Sequence, residues 1–454
     1  METGTILKTV WLKSKLLVKG LIIGGLVLVL LIPTFYVQSL IEEREQRQKE
    51  AVAEVSGKWA AAQIITGPVL VLPYWQDAPD SAANGRTKHF AYFLPDELKV
   101  TSTLSPVEKH RGIYKVMLYN SVNKLAGSFR NPDFQKLRLS EGDILWNEAF
   151  VKMDITDTKG LNDELIVNWN NRPLALAPQI SAEGSEGRGL AAPLGLTGAR
   201  DLQNVSFESV VNLSGSQQLQ FTPVGKSTTV SLASAWPHPS FTGDILPQTS
   251  DVKSNGFSAS WKSLAHKRPF PQQWKDHAYE LSPAVSSAAT APAASVRNGT
   301  LSAASFGVDL FVPVNAYSKT MRSVKYAVLC ILLTFAGFFI IETTHDKSVH
   351  PFQYGLVGLA LVMFYTLLLS FSEYISFNLS YLIASMATIG LIAWFVRSIL
   401  SSAHLALLLS LVLVLMYTYV FTILQLQDYA LLLGSVGLFL TLAVIMHFSR
   451  RIQW

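Results

Sequence analysis

The placing of its charge-free apolar runs constrains this chain more than any other feature. One run lies at Gly20–Val37, "GLIIGGLVLVLLIPTFYV". The others gather after residue 323, at Tyr326–Ile341, Phe352–Phe371, Phe377–Val396, Leu405–Leu424 and Tyr429–Phe448. About 18–20 apolar residues, rising ~1.5 Å each, cross a hydrocarbon core of about 30 Å. The pattern therefore predicts six membrane spans. Tyr326–Ile341 is short and is expected to extend back over Val324 and Lys325, whose ammonium can snorkel. Composition agrees: 49% of residues are hydrophobic and 15% charged, against roughly 25% charged in soluble proteins.

Charge predicts the orientation. Lys8, Lys13, Lys15 and Lys19 precede the first run, as in a signal peptide, but the bulky "PTFYVQSL" that follows has no small-residue cleavage site. A retained signal anchor with a cytoplasmic N-terminus is expected, and alternation of six spans returns the C-terminus to the cytoplasm. Lys347, Arg397, Arg450 and Arg451 then fall on cytoplasmic ends, while Glu373 and Asp428 mark the opposite turns. Arg322 and Lys325 run against the rule, beside a long translocated segment where the rule is weak. The expected organisation is residues 1–37 as N-terminus and anchor, 38–66 as a helical stalk, 67–320 as a β-rich domain outside the cytoplasm, and 321–454 as a five-helix bundle. Cys330 is the single cysteine, so the outer domain must fold by core packing rather than by an internal disulfide.

The segment Leu40–Gln63 reads as helix. Glu43/Arg47, Glu45/Lys49 and Glu54/Lys58 are acid-first i,i+4 pairs, and Val52, Val55 and Trp59 share a face. It continues the first span as a stalk, with a kink expected near Pro33. Beyond "GPVLVLP" the period changes to two. Phe90/Tyr92/Leu94, Tyr114/Val116/Leu118 and Val151/Met153/Ile155 each line one face, as do Phe207, Val211 and Leu213 with Ser209 interrupting. Such strands without intervening helices predict a mainly antiparallel, sandwich-like domain. Ser181–Arg200 reads as loop, and the Ala/Ser/Pro-rich Ser282–Ser305 as a linker or insertion without core-forming capacity.

The search for chemistry finds little. HExxH, CxxC and GxSxG do not occur. "VGKSTT" lacks the first glycine of a phosphate loop, since position 220 is Gln220. His89, His110, His238, His266 and His277 show no metal-ligand spacing. No basic stripe with interleaved aromatics accompanies the net charge of +5, which argues against nucleic acid. Glu342, Glu373, Asp428, His404 and His447 map near span ends; Glu373, in the short apolar turn "SFSEYISF", is the candidate membrane functional residue. The densest cluster is Ser234–Pro247, "SAWPHPSFTGDILP". Its candidate structural or partner-binding residues are Trp236, Pro237, His238, Pro239, Phe241 and Asp244. The two prolines predict a stiff, extended corner, with Trp236 and Phe241 anchored in the core and Asp244 capping local N–H groups.

The stretches "WPHPSFTGDILP", "KYAVLCILLTFAGFFIIE" and "HPFQYGLVGLALVMFYTLLLSFSEYISF", with "ALLLGS" near the end, resemble the CreD family of inner-membrane cell envelope integrity proteins, over nearly the whole chain. The resemblance implies a bacterial inner-membrane protein with a periplasmic domain, linked to envelope stress and a two-component regulon. It supplies no reaction, catalytic residue or cofactor. The expected function is non-enzymatic: support of the envelope through binding by the periplasmic β domain. The expected partners are the lipid bilayer and other envelope proteins or cell-wall components; the oligomeric state stays open. The alternatives are a transporter or lipid-handling bundle and a periplasmic hydrolase.

Overall fold

The computed structural model describes residues 2–77, 85–178, 189–281, 299–310, 316–344 and 349–426, with 432–437, 439, 443 and 446; side chains are described from residue 18 onward. The chain divides into two compact units, one of Met1–Glu50 with Val314–Trp454, the other Ala51–Pro313.

In the first unit α1 runs Glu2–Trp59, then α2 Ala316–Lys325, α3 Ala327–Thr344, α4 Pro351–Ser372, α5 Phe377–Leu400 and α6 Ala403–Gln425. Among the described residues five helices are long and apolar enough to cross a membrane: α1, α3, α4, α5 and α6. Six were expected. The sixth run, Tyr429–Phe448, lies largely outside the described residues, as do Lys347, Asp428 and His447. The backward extension over Val324 and Lys325 is a separate short helix, α2, interrupted from α3 at Tyr326.

The α1 helix continues through Pro33. It ends at Trp59, short of the stalk limit expected at residue 66, because Gln63 already begins a strand. Along α1, Ile23, Leu30, Thr34, Val37 and Ile41 are buried, while Leu28, Ile32, Phe35 and Tyr36 are exposed. The buried set repeats every three, four or seven residues, as a helix with one packed stripe requires. That stripe meets α4 at its glycines. A Cβ at Gly358 would lie 2.1 Å from Leu30 Cδ1 and 2.9 Å from Phe335 Cζ. Gly20 and Gly24, the small-xxx-small pair of the sequence, have open space around them instead.

The second unit is β throughout, apart from the end of α1 and short 3-10 turns. Its strands are β1 (Gln63–Asp77), β2 (Arg86–Phe93), β3 (Glu97–Arg111), β4 (Tyr114–Phe129), β5 (Phe150–Ile155), β6 (Ile166–Trp169) and β7 (Arg172–Ala175). There follow β8 (Ala177–Pro178), β9 (Leu190–Pro193), β10 (Val205–Ser216), β11 (Gln218–Phe221), β12 (Ser227–Ser234) and β13 (Pro239–Gly243). The last are β14 (Thr249–Lys253), β15 (Gly256–Leu264), β16 (Gln273–Lys275), β17 (Tyr279–Glu280), β18 (Gly299–Thr300) and β19 (Phe306–Leu310). One sheet orders as β13-β19-β11-β1-β5-β9-β8, with β2 joining β1 to β16; the other as β14-β15-β12-β3-β4-β10-β6-β7. β17 and β18 form a separate two-stranded sheet. Pairing is mainly antiparallel, with parallel pairs β1/β11, β3/β12 and β17/β18. Residues of both sheets form one apolar cluster, including Leu70, Val151, Phe207, Trp261 and Phe306.

The two-residue alternation places its residues as expected. Val151, Met153 and Ile155 are buried, as are Phe207, Val211 and Leu213. Ser209 is buried with them because its hydroxyl donates to the Ile166 carbonyl at 2.8 Å. Two segments correct the sequence reading. Within the glycine-rich stretch expected as loop, Leu190–Pro193 pairs with β5 as a strand. At the end of the Ala/Ser/Pro-rich stretch, Leu301, Ala304 and Ser305 are buried; residues 282–298 lie outside the described residues. Small residues pack wherever neighbouring strands leave narrow space, which composition does not reveal.

Candidate functional site

The membrane unit concentrates its charge at two polar nodes. In the first, the Lys19 ammonium pairs with the Glu342 carboxylate and donates to the Val349 carbonyl at 2.8 Å. Glu342 Oε1 also accepts from the Val349 N–H and Oε2 from the Tyr354 hydroxyl, each at 2.8 Å. The Glu342 side chain is 5% exposed and that of Lys19 22%. Local structure aims these groups. Glu342 lies in the last turn of α3. His350 caps α4, its Nδ1 accepting from the Phe352 N–H at 3.2 Å while Gln353 Oε1 accepts from the His350 N–H at 3.0 Å. This cap, with Pro351 at the first helical position, holds Val349 and Tyr354 on either side of the carboxylate. Tyr354 is wedged against Phe338 at 4.8 Å and Phe335 at 5.5 Å. A carboxylate so removed from water needs a cation and donors to remain charged, and it has both.

The second node is at Glu373, the residue the sequence singles out. It is the C-cap of α4. Its Oε1 accepts from the Tyr317 hydroxyl at 3.3 Å and lies 3.8 Å from Arg44 Nε. Its side chain is 10% exposed and that of Arg44 37%. Lys19 and Arg44 are separated along α1 by about 37 Å at ~1.5 Å per residue, slightly more than the hydrocarbon thickness. The two nodes therefore hold opposite ends of the membrane-crossing part of α1. The sequence reading grouped Glu342 with interfacial charges. The one available signal was its place at the very end of an apolar span, since nearby Lys347 offered an ordinary local counter-charge.

In the β unit the candidate cluster divides. Trp236 and Phe241 are half-buried and His238 and Asp244 exposed. Pro239–Gly243 is no corner but an edge strand paired with β19. The extended geometry imposed by Pro237 and Pro239 feeds that strand. Trp236 Nε1 donates to the His238 carbonyl at 2.9 Å, and its ring meets the His238 ring edge-on at 6.2 Å. Phe241 packs edge-on against Phe257 and Trp261. Among the described residues the Asp244 carboxylate does not cap a local N–H, as had been expected; instead its own N–H donates to the Ser305 carbonyl at 3.0 Å. His238 and Asp244 thus sit in a structural edge.

Two polar clusters escaped the sequence. His89 Nδ1 lies 2.9 Å from Asp276 Oδ1, and His89 Nε2 lies 2.9 Å from Thr87 Oγ1. Asp276 also accepts from the Phe90 N–H at 3.3 Å, so it pins the turn after β16 onto β2. Tyr74 beside it is pushed up to about 12, first by burial and then by the Asp276 charge. The other cluster is Arg268, which is 7% exposed. Its Nη1 donates to the carbonyls of Val224 at 2.9 Å and Pro223 at 3.3 Å, and its Nη2 to Gln272 Oε1. Gln272 in turn donates to the carbonyls of Leu94 and Pro95. Burial lowers the guanidinium to about 10, so it stays charged at neutral pH. One fork thus ties three loops together. Arg268→Ala should cost about 3 kcal/mol, since it strands buried carbonyls and the Gln272 amide; Arg268→Lys should recover only part, as an ammonium cannot span the fork. Denaturant melts followed by near-ultraviolet circular dichroism check both.

Among the described residues no group of three or more His, Cys, Asp or Glu could hold a metal ion. An M1 zinc metallopeptidase from Deinococcus radiodurans aligns with 37% of this chain and 39% of its own at 9% identity and a TM-score of 0.17, which carries no argument about fold. The family model described as "Inner membrane protein CreD" matches residues 15–454. The Escherichia coli (strain K12) inner membrane protein CreD is 31% identical over 453 residues, covering 98% of this chain and 94% of that relative. With its apolar helices and β unit, this chain therefore belongs to the CreD family of multi-pass inner-membrane proteins.

Proposed function

We propose that the β unit, residues 51–313, faces the periplasm and supports the cell envelope by binding an envelope protein or cell-wall component, without catalysing a reaction. The two polar nodes of the membrane unit carry this reading. Lys19, Glu342 and Val349 meet at one end of the helices, and Arg44, Tyr317 and Glu373 at the other. The chain leaves this unit after Glu50 and returns at Val314, both in sequence next to the second node. The lysines before Gly20 favour a cytoplasmic first node, and the β unit then follows on the opposite side.

Cysteine labelling tests the placement. Cys330 is buried, so an added thiol will dominate reaction with a membrane-impermeant maleimide in spheroplasts. Leu246→Cys should label and Ser401→Cys should not; the reverse pattern removes the periplasmic assignment. For the function, cross-linking in intact cells followed by purification of the full chain should enrich one envelope component reproducibly. Absence of any such component, together with measurable turnover by the purified protein, would overturn the binding role.

A further inference from the structure

Beside the turn between β2 and β3 the β unit holds a cavity of about 330 Å³, at the small end of ligand-site volumes. Its lining includes Phe93, Asp96, Phe129, Asp133, Lys136 and Lys226. The acids are already engaged. Asp96 Oδ2 accepts from the Arg130 N–H at 2.7 Å, and Asp133 Oδ1 from the Lys136 N–H at 3.1 Å. The lysines are not. Among the described residues, neither the Lys136 nor the Lys226 ammonium has a hydrogen-bond or ion-pair partner. Gln272, in the same lining, is held by Arg268 on one side and by the Leu94 and Pro95 carbonyls on the other, so this part of the lining is rigidly positioned. Arg268 itself is buried with carbonyl and amide partners and adds a further positive charge.

The cavity thus presents open cations beside occupied acids. A singly charged carboxylate can engage the ammonium groups while meeting less repulsion from Asp96 and Asp133 than a dianion would. We propose that this cavity binds a small carboxylate-bearing ligand, with Lys136 and Lys226 holding the carboxylate. The proposal rests on the binding role of the β unit and names its ligand chemistry.

Calorimetric titration of the full-length protein in detergent tests it, with three probes: N-acetyl-alanyl-alanine with a free carboxylate, the same peptide as its C-terminal amide, and inorganic phosphate. The carboxylate peptide should bind saturably, and the amide and phosphate at least about tenfold more weakly. Lys136→Gln and Lys226→Gln should each weaken the carboxylate peptide about tenfold with an unchanged melting midpoint, as expected for losing one charge-assisted contact. Equal binding of acid and amide, indifference to both lysine changes, or no saturable binding of the acid would each overturn it. Tighter binding of phosphate would do the same by reassigning the cavity. Envelope cross-linking that persists in the lysine variants would remove this cavity while leaving the broader binding role in place.

Discussion

Trp261→Ala will cost the β unit about 3–5 kcal/mol, the range for truncating a fully buried aromatic, whereas Trp236→Ala will cost about 1 kcal/mol. Trp261 is 1% exposed. Its ring stacks on Phe306 at 5.8 Å and meets Phe241 edge-on at 5.8 Å, so its loss opens a cavity where β15 faces β19 and β13. Trp236 stands in the connection before β13 and is only half-buried; the sequence reading had placed the buried anchor there. His238→Ala, at an exposed position, should stay within about 0.5 kcal/mol of the parent. Among the described residues Trp261 Nε1 has no hydrogen-bond partner, so Trp261→Phe should be much milder than alanine because it keeps a buried aromatic and strands no acceptor. Denaturant titration read by near-ultraviolet circular dichroism decides the order. Equal losses for Trp236→Ala and Trp261→Ala would place the structural centre of this sheet wrongly.

Glu342→Ala should destabilise the membrane unit by about 3 kcal/mol, at the low end for removing one partner of a buried ion pair, because the Lys19 side chain keeps 22% exposure. The change strands the Val349 N–H and the Tyr354 hydroxyl and leaves the Lys19 ammonium with only the Val349 carbonyl among its described partners. The combined Lys19→Met, Glu342→Met protein should recover most of the loss, since a matched apolar pair carries no stranded charge. Arg44→Ala at the other node should cost under about 1 kcal/mol, its contact being longer and more exposed. The melting midpoint in detergent orders these variants. A double variant no better than Glu342→Ala would show that the carboxylate matters for something other than pairing with Lys19.

How far each feature was legible follows from its range along the chain. The phase of alternation in "GFSASWKS" already aligned Phe257, Ala259 and Trp261 on one face, and those three are buried. Leu190–Pro193 was read as loop because its glycine-rich neighbours weaken local strand propensity, yet pairing with β5 supplies the ladder. Leu301 and Ala304 follow a stretch rich in Ala, Ser and Pro, whose low complexity hides their burial. Arg268 and Gln272 lie in a Trp/Pro-rich stretch without periodicity; carbonyls from distant turns make them a clasp.

The sequence by itself determined the solvents in which this chain must fold. Apolar run length and two-residue alternation are local quantities, and they specify membrane helices flanking a β unit because the cost of placing a peptide group or charge in hydrocarbon depends on the residue and its neighbours. The tertiary structure alone decided which polar groups matter. Lys19 and Glu342 are 323 residues apart, and a carboxylate at the end of a span is either an ordinary interfacial charge or half of a buried pair according to what packs beside it. That choice is made by the packing that brings Lys19 of α1 to the end of α3, a contact between distant segments that no window of sequence contains.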